Sequence, residues 1–372
     1  MSSLDLSSGA EPAAVTDVAG HAVTLHFGDA EAEYNAMHAG AALVDRSQRG
    51  RLRVSGPRAA EMVTGLVTND VIALAPGHGA YAAVLTPKGK IVADVRVVAC
   101  GADGADGADG QPAGPVESLL IDAPARAAAG LLDVVRKYIN PRVAPYRDEH
   151  ATTRMLGVYG PGARLAVADA LGLNGAALGL LPPYGHLTGA LDGAPVTAVH
   201  SPDLGAVDGF DLLCAADVAP ALAARLAQRG AVPAGLVAWD IARVEAGRPE
   251  WGIDIDEGTI PQEANFDELH AISYTKGCYT GQETVARVHF RGHVNRHLRG
   301  LRLATPDLPP PRTPITDGAG KAVGDVRSAA LSPRSGPLAI AMVRREVAIG
   351  ATVTARWDGG EADAQVVALP FQ

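Results

Sequence analysis

The sequence is poor in aromatic side chains, at 4% of its 372 residues, and poor in cysteine, with only Cys100, Cys214 and Cys278. No two of these form C-x-x-C and the odd count gives no disulfide framework, so a reducing, cytoplasmic compartment is expected. Three scattered thiols also exclude an iron–sulfur cluster ligated in the ferredoxin manner. Basic charge is short as well: 32 Lys and Arg stand against 41 Asp and Glu, a net −9. That balance excludes a nucleic-acid-binding surface over the whole protein, because phosphates need clustered cations. The one basic stretch, Arg287 to Arg302, reads as a solvated or ligand-facing rim. No apolar run reaches the length of a membrane span, so no membrane partner is expected. The first residues, MSSLDLSSGAEPAAVTD, lack the basic and apolar segments of a secretory leader.

What is present is an ordinary globular composition, 47% hydrophobic and 20% charged, long enough for two or three domains. Residues 1–20 read as a flexible, polar lead-in. EAEYNAMHAGAALVDRS then reads as a helix ending near Gly40 or soon after, GRLRVSG as a strand, and RAAEMVTGLVTND as a helix opened by Pro57. YAAVLTPKGKIVADVRVVAC reads as a β-hairpin with its turn at Pro87–Lys90. The Gly-Ala-Asp repeat from Gly101 to Gly110 reads as a loop between two strands; its three Asp lack the pattern of a calcium loop. ARAAAGLLDVVRKYI and GARLAVADALG are helices, TRMLGVYG is a strand, and the Gly/Pro-rich stretch 172–193 reads as loop. Cys100 and Cys214 each end an apolar run and read as packing residues. In IDIDEGTIPQ, Asp254, Asp256 and Glu257 read as a solvated acidic loop rather than a metal site, for want of a His at ligand spacing. Strands and helices alternate without a strict βαβ rhythm, which makes the class α+β. Beyond a Pro-rich break at Thr305, short strands with Gly and Pro turns predict a small barrel or sandwich.

The stretch KGCYTGQE, Lys276–Glu283, concentrates the chemistry. Thr280 and Glu283 stand in the spacing of a capping box, which predicts a helix entered at Thr280 and closed by Gly292. Cys278 would then sit just before a helix N-terminus, with Lys276 and Arg287 nearby in sequence, where the local field favours a thiolate. The plainer reading is a capped helix whose cysteine is a small buried hydrophobe.

With VDRSQRGRLRVSG, GLVTNDV, LTPKGKIVAD, ARVEAGRPEWGIDIDEGTIPQEA and RGHVNRHLRGL, that motif makes most of the chain resemble the folate-binding YgfZ-type proteins, relatives of the glycine-cleavage T-protein (aminomethyltransferase). The resemblance implies a three-lobed T-protein-like cloverleaf around a channel for tetrahydrofolate. Its two α+β lobes would cover about 21–150 and 151–295, with segments free to cross, and a C-terminal β-barrel would cover 296–372. It also implies an accessory role in assembly or repair of iron–sulfur client proteins, with Cys278 as the functional thiol and Lys276 beside it. The alternative it carries is folate-dependent aminomethyl transfer. Candidate folate contacts are Asp94, Arg243, Gln282, and Tyr81 and Trp251 as stacking rings; for the two rings core packing is the commoner fate. Two positions depart from the T-protein pattern: its paired Asp is here Ala93-Asp94, and its pterin-holding Glu aligns with Val207.

Overall fold

The computed structural model describes residues 12–101 and 114–371. Apart from Gly101, the Gly-Ala-Asp repeat lies outside them. In chain order the first elements are β1 (Ala14–Val18), β2 (His21–His26), α1 (Ala30–Ala39), β3 (Ala41–Asp45), β4 (Gly50–Ser55), α2 (Ala59–Thr64), β5 (His78–Leu85) and β6 (Ile91–Cys100). There follow β7 (Ser118–Ala123), α3 (Ala125–Tyr138), β8 (Tyr146–Asp148), β9 (Thr153–Tyr159), α4 (Ala163–Leu171), α5 (Gly175–Gly179), β10 (His186–Leu191), β11 (Ala194–His200) and β12 (Gly209–Ala215). Then come α6 (Ala219–Gln228), β13 (Ala231–Ala234), α7 (Leu236–Glu245) and α8 (Gln282–Arg291). The last six strands are β14 (Arg296–Leu303), β15 (Pro314–Thr316), β16 (Ala322–Ser332), β17 (Gly336–Arg344), β18 (Thr352–Trp357) and β19 (Gly360–Val367).

These elements build an α+β protein with two large sheets, a two-stranded β1-β2 ribbon and a closed barrel. The first sheet has the order β5-β6-β7-β4-β8 and the second β10-β11-β12-β9-β3-β13. The barrel closes as β14-β17-β16-β15-β18-β19, so it has no free edge strand. The helices form for local reasons. Asp29 caps α1 by accepting from Ala32 N at 2.9 Å, and Gly40 ends it. In α3 the buried residues Ala127, Leu131 and Val135 recur every four positions, and Arg136 and Lys137 sit in the last turn.

Two expectations need correction. The lead-in does not extend to residue 20, because β1 begins at Ala14 and pairs antiparallel with β2. The stretch 172–193 is not loop throughout: it holds α5, capped by Asn174, and β10, paired with β11 from His186↔Val199 to Leu191↔Ala194. Its glycines serve close packing rather than disorder. A Cβ at Gly189 would stand 2.7 Å from the carbonyl oxygen of Leu171.

Strand alternation decides what meets at the centre. On β6, Ala93, Val95, Val97 and Ala99 enter the core of the first lobe. The opposite face carries Asp94, Arg96 and Val98, and Val98 packs with Leu120, Met155, Val199 and Leu213 in an apolar patch drawn from both sheets. The two sheets therefore meet through one apolar patch and one charged cluster.

Candidate functional site

The charged cluster is built from alternate residues of facing strands. Arg96, at 3% exposure, bonds to Asp122 of β7 and Asp211 of β12 and reaches Asp203 at 3.4 Å. Arg49 adds a second guanidinium on Asp122 at 2.7 Å, and Tyr159 donates to Asp211 at 2.6 Å. Burial opposes charge on Asp203, but Arg248 and Arg96 outweigh it and hold the carboxyl well below the usual range. Removing either side of such a cluster strands buried charge.

Asp94 stands beside this cluster and is only partly satisfied. Its Oδ2 accepts from Tyr81 Oη at 2.9 Å, while its buried Oδ1 has no donor. Burial is the main influence on its carboxyl and raises its pKa, despite Arg49 and Arg248 nearby. Burial likewise raises Glu250, whose neighbours include Arg49, Arg243 and Asp94. Arg46, Arg49, Arg126, Trp239 and Glu250 line a cavity of about 110 Å³. Arg46 lies 3.6 Å over the Trp239 ring, and its Nε and the Trp239 Nε1 are buried without partners. Unpaired donors on the wall of this small cavity, with an unpaired acceptor on Asp94 beside the Arg49 and Glu250 that also line it, are what an absent polar ligand would satisfy.

The other sequence candidates are placed as follows. One face of Tyr81 carries the Arg248 guanidinium at 3.7 Å, Tyr184 stacks with the ring at 6.2 Å, Phe266 packs tilted against it at 5.3 Å, and it is 2% exposed. Arg248 is itself held by Tyr184 Oη at 2.9 Å and Asp203 at 3.2 Å, so the ring is packed in a protein sandwich. Trp251 packs against two core clusters and keeps a buried Nε1 without a partner. Arg243 is an internal clamp: it bonds Asp240 at 2.7 Å, Asp254 and the Arg248 carbonyl at 2.7 Å, and Ser328 of the barrel at 2.9 Å. Its partner Asp254 is fully buried, which corrects the solvated-loop reading at that position. Asp256 holds Thr259 and Gly258 and pairs with Arg312 at 3.1 Å.

The KGCYTGQE loop lies against the α2–β5 connection. Lys276 donates to the carbonyls of Thr64, Val67 and Asn69 at 2.6, 2.7 and 2.9 Å, which uses its three donors to anchor the loop. Burial lowers its pKa to about 8. The expected capping box is absent. The N-cap of α8 is Gly281 at φ 82°, with no side-chain cap, and Gln282 is the first helical residue. Glycine is required there because a Cβ would fall 2.6 Å from the Thr86 carbonyl oxygen in the β5–β6 turn. Cys278 is exposed, not a buried hydrophobe, whereas Cys214 is buried and pushed up to about 11 by that burial. Titration of the native protein with Ellman's reagent should therefore show a fast thiol that Cys278→Ser removes, with Cys214 reacting only on unfolding. Cys100 is half-buried, so the test is run with Cys100→Ser as parent, where a fast phase surviving Cys278→Ser would contradict this placement.

Two stretches match known domains: residues 7–105 match the GCVT N-terminal domain, and 296–372 the glycine cleavage T-protein C-terminal barrel domain. An aminomethyltransferase of Bordetella petrii is 30% identical over 364 residues, covering 96% of this chain and 92% of that protein. The chain belongs to the glycine cleavage T-protein family. Another aminomethyltransferase, from Nostoc, is 27% identical over 361 residues, covering 96% of this chain and 92% of that one. The crystal structure of the glycine cleavage system aminomethyltransferase T from Bartonella henselae shares the fold, with a TM-score of 0.80, 24% identity, and coverage of 97% and 94% of the two chains.

The fold gives the two departures from the T-protein pattern a physical meaning. Ala93 faces the apolar core of the first lobe, so the member of the pair that faces the centre, Asp94, is the one that keeps its carboxylate. Val207 packs with Tyr34, Met37 and Tyr159 in an apolar cluster. The sequence reading missed Arg49, Arg46, Asp203, Arg248 and Glu250. A signal for part of the cluster was present: Asp94 and Arg96 in IVADVRVVAC, and Asp122 in SLLIDA, are charges inside strands otherwise too apolar for a solvent face. Among the described residues no group of three His, Cys, Asp or Glu side chains is placed to hold a metal ion, and no helix is long and apolar enough to cross a membrane.

Proposed function

We propose that this T-protein family member binds tetrahydrofolate at the centre, beside Asp94, and acts as a folate-dependent protein of the aminomethyltransferase type. The observation that carries the reading is the buried Asp94 Oδ1, an acceptor without a donor. The N–H edge of a pterin supplies the donors such a carboxylate lacks, and the Arg46 Nε suits a folate carboxylate. At about 110 Å³ the cavity is smaller than the ~300–1,000 Å³ usual for small-molecule sites, so a whole folate requires side chains to move. Arg248, lying on the Tyr81 ring, is the group whose displacement would open a stacking face. When bound, the folate supplies the nitrogens that carry a one-carbon unit, and the chain's own residues orient it and exclude water.

Asp94→Asn tests the reading twice. Calorimetry with tetrahydrofolate should show affinity weakened about 10- to 100-fold, the effect of losing charge-assisted hydrogen bonds. Equal affinity in the variant would sink the reading. Stability should move the other way. A carboxyl whose folded pKa is raised above its ordinary 3.8 contributes stability that is complete below that value and is lost as pH rises through the folded pKa. At pH 7 the buried carboxylate is thus a net cost, and the amide should be the more stable form, the difference closing below pH 4. Urea titrations at pH 7 and pH 3.5 check the sign. Loss of binding with gain of stability marks a site kept for function.

A second reading rests on Cys278. Its thiol is exposed, in a motif to which transfer chemistry gives no role. This favours the YgfZ-type role, support of iron–sulfur client enzymes, with the thiol acting on a partner rather than on folate. Cys278→Ser should then bind tetrahydrofolate like the parent and fail to sustain iron–sulfur enzyme activity in cells. Full activity with the serine variant would remove the second reading and leave the first intact.

A further inference from the structure

A much larger cavity, of about 820 Å³, lies at the interface of the two sheets away from Asp94. Arg53 and Ser118 of the first sheet and Thr197, Leu213 and Ala215 of the second form its walls, with Cys100 at the end of β6. Leu213 belongs both to the apolar patch that joins the sheets and to this wall, so the cavity opens where that patch stops. Its volume lies within the range of small-molecule sites.

Among the described residues the cavity has one cationic group, Arg53. Arg53 gives Nε to Glu149 at 2.8 Å and Nη1 to Ser118 Oγ at 3.2 Å and Cys100 Sγ at 3.5 Å; among the described residues nothing accepts from its Nη2. Glu149 also takes Arg147, at 2.9 Å, so two guanidinium groups share one carboxylate and the group as a whole carries one positive charge. Glu117, also lining the cavity and exposed, disfavours a second negative charge on anything that enters. The rest of the lining is hydroxyl and apolar.

We propose that this cavity is a second binding site, for an organic monocarboxylate with an apolar body. The carboxylate meets Arg53, and the body lies against Leu213, Val116 and Pro195. Dianions such as organic phosphates are disfavoured because Glu117 offsets the one positive charge of the Arg53 group.

Calorimetry with decanoate, decanamide and decyl phosphate tests this on the full chain. Decanoate should bind once per chain, with the amide and the phosphate at least about tenfold weaker. Arg53→Gln should weaken decanoate by about tenfold or more. Ala215→Trp, which puts an indole into the cavity from an exposed wall position close to Leu213, should weaken binding by about tenfold or more, and Asp94→Asn should leave it unchanged. If Arg53→Gln does not fold, because Glu149 loses its buried partner, Ala215→Trp alone decides. Failure of decanoate to bind, binding indifferent to Ala215→Trp, or equal binding of the amide or the phosphate would overturn the assignment.

Discussion

Arg96→Met is expected to lower the stability of the protein by about 3–5 kcal/mol, the cost of breaking a buried ion network on one side. The methionine fills similar space, so the effect comes from charge. Asp122 keeps Arg49, but Asp211 is left with only the Tyr159 hydroxyl and Asp203 with Arg248 and Tyr184. All three carboxylates are buried. Stability of this size is comparable to the whole margin of many domains, so the variant should be partly unfolded at 37 °C. Chemical denaturation with Arg96→Met, Asp211→Asn and the double variant measures the coupling. The double variant should recover part of the loss, because the stranded carboxylate is gone. A loss below about 1 kcal/mol would mean that water or rearrangement satisfies the acids and that the network is not a structural joint.

The second large effect is expected at Arg243. Its three nitrogens bond Asp240 of its own helix, Asp254 and the Arg248 carbonyl of the next segment, and Ser328 of the barrel. Arg243→Met leaves Asp254, which is fully buried, without its cation, and should lower stability by about 3 kcal/mol or more. Because one of the lost bonds crosses to the barrel, denaturation should lose cooperativity, with the barrel and the sheets melting apart. A direct folate contact predicts something different: reduced tetrahydrofolate affinity with stability unchanged. Calorimetry on the folded fraction separates the two, and retained stability with lost binding would refute the clamp.

What the sequence disclosed follows from the range of the forces involved. Elements set by local signals were readable: the Pro87–Lys90 hairpin turn, the Gly40 and Gly292 helix ends, and the four-residue spacing of Ala127, Leu131 and Val135. The α+β class and the barrel were readable too, because strand alternation and turn residues carry them. The stretch 172–193 was misread because its strand is defined by pairing with β11, which glycine content conceals. The cap of α8 was misread because Gly281 answers to a steric neighbour nearly 200 residues away, the Thr86 carbonyl, and not to the spacing of Thr280 and Glu283. Cys278 and Asp94 were singled out by motif and family resemblance. Their neighbours were not, since Arg49, Asp203, Arg248 and Glu250 meet Asp94 and Arg96 only after two sheets are stacked.

The position of β3 has a consequence for biosynthesis. Residues 41–45 pair with β9 on one side and with β13 on the other, so an early segment forms an interior strand of a sheet otherwise made of late ones. On a ribosome this strand leaves the tunnel with neither neighbour in existence. Its second neighbour is synthesised almost 190 residues later, which at ordinary elongation rates is roughly 10–40 s. Until β9 follows, Ala41–Val44, fully apolar, is an unpaired strand with both edges open, and one edge stays open until β13 arrives. The nascent chain should therefore need a holding chaperone until residue 234 has emerged, and neither lobe can be produced alone by cutting the gene between them.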